Sequence, residues 1–87
     1  MLVKDLNTAN YGETLQQGMS LPVGALIVRT KRYSDHMQAG DICRVDKELH
    51  ILSDMQAISV FNLRSNRNYG TYYAHRFAMY KTEDEPI

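Results

Sequence analysis

The apolar residues of this chain come in short, β-branched runs broken by turn residues, and that punctuation constrains its fold more than any other feature. The richest run, Ala25-Leu26-Ile27-Val28, continues into Arg29-Thr30-Lys31-Arg32-Tyr33 without a Gly or Pro. Such residues favour strands. The first half is apolar on both faces and the second alternates polar and charged, as in a strand that starts in a core and runs into solvent. Ser34 to Gly40 is a polar loop closing on the turn signal Gly40-Asp41. Ile42-Cys43-Arg44-Val45-Asp46-Lys47 then alternates cleanly, with Cys43 and Val45 facing one way and Arg44 and Asp46 the other.

His50-Ile51-Leu52 either extends that strand after an irregularity or begins the next, and Ser53-Asp54-Met55 reads as a turn. Ala57 to Leu63 has large apolar groups at both parities, as in a central or bulged strand. Ser65-Asn66-Arg67-Asn68-Tyr69-Gly70 is a hairpin-like loop in which Gly70 supplies positive φ. Thr71-Tyr72-Tyr73-Ala74 and Phe77-Ala78-Met79-Tyr80 are short strands, with His75-Arg76 as a kink between them. One helix is predicted: Asn10-Tyr11-Gly12-Glu13 resembles a capping box, so a turn or two over Tyr11 to Gln17 would end at a left-handed Gly18. A helix that short needs packing to hold it, which assigns Leu15 to an interface.

The reading is therefore a mainly β fold, α+β at most: about five short strands and one short N-terminal helix, arranged as a small barrel or sandwich that hides its strand edges. With 87 residues, 1–87 is a single domain. Its core is expected over about 21–81, with the acidic tail 82–87 expected to be flexible. A chain of this size buries roughly 60–65% of its unfolded surface, so one thin core is all it can build. Cys43 is the single cysteine, so no internal disulfide reinforces that core. A reducing, cytoplasmic setting fits, and no membrane association is expected. A thin core without a disulfide also leads to the expectation of a homo-oligomer, paired through an open strand edge or a tyrosine face.

The turn chemistry and strand order carry a resemblance. Gly40-Asp41-Ile42-Cys43-Arg44-Val45, then a strand, a Gly-containing hairpin and the closing Tyr73-Ala74-His75-Arg76-Phe77, are similar to the small SH3-like barrels encoded by bacteriophages. The resemblance covers roughly Leu21 to Lys81, and the stretch up to Ser20 has no counterpart in it. It implies a five-stranded SH3-like barrel. It further implies a phage accessory factor, acting in the host cytoplasm, that binds nucleic acid or a host protein, with anti-defence or host takeover as its setting. The group shares no single activity, so no site residue carries over.

The chain offers no catalytic constellation. Cys43 lies inward on its strand, away from the electropositive exposure a nucleophile needs. No nucleophile elbow or phosphate loop occurs, and no carboxylate pair is marked for acid–base work. His36, Cys43, His50 and His75 lack the close-spaced ligand pairs of a structural zinc site. The reading is a non-enzyme with no metal and no cofactor. Formal net charge is zero, so any electrostatic signal lies in its distribution. From Gln56 to Lys81 there are four cations and no acid. Within that stretch Arg64, Asn66, Arg67, Tyr69, Tyr72, Tyr73, His75 and Arg76 interleave cations, amides and rings, the mixture that single-stranded nucleic acid requires. Arg29, Lys31 and Arg32 would assist from the first strand. Tyr72 and Tyr73 are expected on opposite faces, so at most one stacks on a base and the other packs inward. RNA or another single strand is the first expected partner. A host protein, bound through the same aromatics, is the alternative.

Overall fold

A computed structural model describes residues 11–80. Eight strands follow in order: β1 Tyr11–Thr14, β2 Ser20–Leu21, β3 Leu26–Arg29, β4 Ile42–Val45, β5 Leu49–His50, β6 Ala57–Asn62, β7 Thr71–Tyr73 and β8 Phe77–Tyr80. A single 3₁₀ turn, Ala74–Arg76, links the last two. Six strands form one antiparallel sheet in the order β1-β8-β3-β4-β6-β7, and β2 pairs with β5 in a separate two-stranded ribbon.

The alternation read from the sequence governs burial. In β4, Cys43 and Val45 are fully buried, and Arg44 lies outside over the Phe61 ring at 4.6 Å. In β6, Ile58, Val60 and Asn62 point inward, while Ala57 and Ser59 are exposed. The parity in β6 is regular after all: Phe61 is the apolar residue of the outer set, and Arg44 covers it. β3 is shorter than the run that predicts it. It ends at Arg29, where Gly40 N–H donates to Arg29 O and Arg29 N–H to Asp41 O. The polar half, 30–33, turns away, and a bridge between Ser34 and Met37 ties the loop. Met37 drops from that loop into the core beside Cys43 and Ile58.

One expectation is corrected. The helix over Tyr11 to Gln17 is absent among the described residues, because Tyr11–Thr14 is a strand paired with β8 and Leu15 N–H donates to Phe77 O at 2.9 Å. A capping box contributes only about 1 kcal/mol and an isolated two-turn helix is marginal. Joining β8 instead satisfies the backbone and brings Leu15, fully buried, into the same core as Phe77. Gly18 does adopt positive φ, +97°, but it closes a turn that docks on Ile51 O rather than ending a helix. The predicted Asn10 cap and the acidic tail at 82–87 lie outside the described residues.

The mainly β, antiparallel architecture is as expected; the main sheet has six strands, and among the described residues no pairing joins its outer strands β1 and β7. β7 and β8 are nevertheless consecutive, separated by the 3₁₀ turn alone. β7 pairs with β6 and β8 pairs with both β1 and β3, so this one run of chain connects opposite ends of the sheet. No helix among the described residues is long and apolar enough to cross a membrane.

Candidate functional site

β3 delivers Arg29 to the end of the sheet where the 3₁₀ turn passes. Thr30 clamps the two together, its N–H and its hydroxyl both donating to Arg76 O at 2.9 Å. Arg29 and Arg76, distant in sequence, therefore lie at one spot. Around them Tyr33, Tyr72 and Tyr73 complete an open groove of about 500 Å³, lined also by Ala57 and Thr71. That volume falls in the usual range of ligand sites, roughly 300–1,000 Å³. The groove lining contains two arginines and three tyrosines and no carboxylate.

Arg29 is the unusual member. Only 4% of it is exposed, and its guanidinium carbon lies 5.2 Å from the Phe77 ring centre, 5.5 Å from Tyr72 and 5.8 Å from Tyr33. Ring quadrupoles stabilise a cation held this way. Nε donates to Lys31 O, but Nη1 is buried and has no hydrogen-bond partner. Leaving such a donor unpaired costs about 1–3 kcal/mol, more when the group is charged. Burial, then the nearby Arg76 charge, lowers the Arg29 pKa below the ordinary arginine value. Tyr72 is edge-on to both Tyr33 (5.4 Å) and Phe77 (6.2 Å), and burial pushes its phenol up while Arg29 pulls the other way.

Tyr72 and Tyr73 take opposite sides of β7, with Tyr72 packed on the core and Tyr73 51% exposed. Tyr73 stacks on His75 at 5.8 Å and 25°. Of the residues singled out in the sequence, the groove gathers Arg29, Tyr72, Tyr73 and Arg76. Lys31 is not in the lining; its backbone carbonyl accepts the Arg29 Nε–H. His75 faces the next recess instead, about 330 Å³ in volume, where its Nδ1 lies 3.0 Å from Asp54 O.

The hairpin residues Arg64, Asn66, Arg67 and Tyr69 are not part of the groove lining. Arg64 donates through Nε to Asp41 Oδ1 at 2.7 Å and through Nη2 to Asp35 O at 2.9 Å. Asp41 is buried and also accepts from Asn62 Nδ2 and from Gln38 N–H, both at 2.9 Å. Burial alone would raise this carboxyl, but the hydrogen bonds from Arg64, Gln38 and Asn62 outweigh it and hold the pKa below the usual carboxylate range. The same contact raises the Arg64 pKa. Asn66 occupies the left-handed region at φ +60°, and Arg67 lies over Tyr69, which stacks on His36 at 4.3 Å. Arg32 pairs with Asp35 at 2.6 Å.

Tyr33 was not among the residues the sequence nominates, yet it forms one wall of the groove and is 67% exposed. The signal was present: Arg29 to Tyr33 is itself an acid-free stretch of cations ending in a ring. No three His, Cys, Asp or Glu side chains among the described residues form a metal-binding group. Burial pushes the Cys43 thiol up to about 12, which removes thiolate reactivity near neutral pH. No family model, curated protein or solved structure matches this chain.

Proposed function

We propose that this chain is a non-catalytic binding module that holds single-stranded nucleic acid, RNA foremost, in the groove between Arg29 and Arg76. One observation carries the reading: two arginines, one buried with an unpartnered N–H, face a groove walled by tyrosine rings and free of carboxylates. Cations meet phosphates there while an exposed ring offers a face to a base. Tyr73 and Tyr33 are the rings exposed enough to stack. The phage-type SH3-like barrel belongs to the same proposal. If β7 and β8 are taken as one strand interrupted at Ala74–Arg76, five principal strands remain, and the last bridges both ends of the sheet. A role as a phage accessory factor in a host cytoplasm is the setting that resemblance suggests.

Affinity for a short unstructured RNA across a salt series tests the reading. Arg76→Ala should weaken binding of any sequence about equally and reduce the salt slope by about one unit. Tyr73→Ala should cost about 1–3 kcal/mol and leave the slope nearly unchanged. Absence of RNA and DNA binding at low salt would refute the reading. A second reading, an adaptor or inhibitor of a host protein, draws on the exposure of large apolar side chains, Leu52, Met55, Tyr33 and Tyr73 among them. Complex formation that persists at high salt would favour it, because an apolar interface weakens far less with salt than phosphate contacts do.

A further inference from the structure

Arg29 restricts how a phosphate can approach. Its Nε is committed to Lys31 O, and the rings of Phe77 and Tyr72 pack against the guanidinium. Nη1 has no hydrogen-bond partner and is buried rather than displayed on the rim, so it is a donor that an acceptor entering the groove could satisfy. Arg76 stands on the neighbouring 3₁₀ turn, held by Thr30, and supplies a second charge to the same groove.

An internal phosphodiester carries a nucleoside on each side, so its oxygens reach only as deep as the strand itself can dip. A terminal phosphate monoester has one substituent and three free oxygens, and at neutral pH it bears about −1.5 to −2 charges. It can enter end-on. A fork of N–H groups from two arginines suits that group better than a singly charged diester. We infer that the Arg29–Arg76 end of the groove is a subsite for the terminal phosphate monoester of a nucleic acid strand, with the adjoining nucleoside lying against Tyr33 or Tyr73. This inference rests on the single-strand reading and deepens it.

The test compares one unstructured RNA strand in three forms, with a 5′-phosphate, with a 3′-phosphate and with hydroxyls at both ends, binding the unmodified protein at fixed salt. A preference of about tenfold or more for a phosphorylated end supports the subsite, and the end that shows it gives the polarity of the bound strand. Arg29→Lys keeps the charge and removes the fork, so in a variant that retains its thermal unfolding transition the preference should fall to near unity. The comparison on the unmodified protein stands even if that variant does not fold. Equal affinity for all three strands overturns the inference and leaves the single-strand reading in place. Binding of none of them, at low salt as well, overturns both.

Discussion

Asp41 holds a negative charge inside the fold by accepting hydrogen bonds from Arg64, Gln38 and Asn62. Its pKa is lowered in the folded state from an ordinary 3.8, so ionised Asp41 stabilises the fold above that value. The contribution is lost as pH falls below about 3.8 and through the folded pKa. An acid titration followed by tryptophan-free probes such as tyrosine fluorescence should show stability dropping in that window, and Asp41→Asn should flatten the drop. Arg64→Ala removes the ionic partner, and the expected result is a lower Tm with nucleic-acid affinity unchanged in the folded fraction. A reduced salt slope in that variant would instead make Arg64 a phosphate contact. Cys43 illustrates the opposite environment. Buried without polar partners apart from the Met37 sulfur 3.8 Å away, it should label slowly with maleimide in the native state. Cys43→Ser should cost about 1–3 kcal/mol by burying a hydroxyl there.

At the scale of elements, legibility followed how local the cause of each element was. β4, β6 and β8 could be read because alternation and flanking turns lie within the segment itself; Phe77–Tyr80 emerged with the bounds predicted for it. β1 could not. Its Asn10-Tyr11-Gly12-Glu13 pattern is a genuine local helix signal, and the strand exists because β8, more than sixty residues away, offers a paired edge. β2 and β5 are two-residue strands whose pairing is likewise set by tertiary contact. The groove was legible in part for the same reason. Tyr72, Tyr73 and Arg76 are neighbours in sequence, whereas Tyr33 reaches them through tertiary contacts, the β3–β8 ladder and the Thr30 bonds to Arg76 O. The pairing of Arg64 with Asp41 was not legible because Asp41 lies on the far side of β4 in sequence. Leu15→Ala distinguishes the strand from a peripheral helix at this scale. Full burial beside Phe77 predicts a loss of about 2–5 kcal/mol in denaturant unfolding, and a loss below 1 kcal/mol would contradict the packing of β1.

Across the whole molecule the formal charge is zero, so attraction to a polyanion has to come from where the cations stand. Arg32, Arg44 and Arg64 are each paired with an aspartate. Arg29 and Arg76 meet at the groove without an acid in its lining, which concentrates positive potential at one end of the sheet. Among the described residues the outer strands β1 and β7 each pair on one side only, and we propose these edges as the place where a second copy pairs, as expected for a chain with so thin a core. A monomer mass by light scattering at high micromolar concentration would end that proposal. The central claim is the location of the site, and amide chemical shifts recorded while a short single-stranded RNA is added test it most directly. The predicted result is a set of shifts centred on Arg29, Tyr33, Thr71 to Tyr73 and Arg76. Shifts centred instead on the Arg64 to Tyr69 hairpin, with the groove amides unmoved, would contradict it.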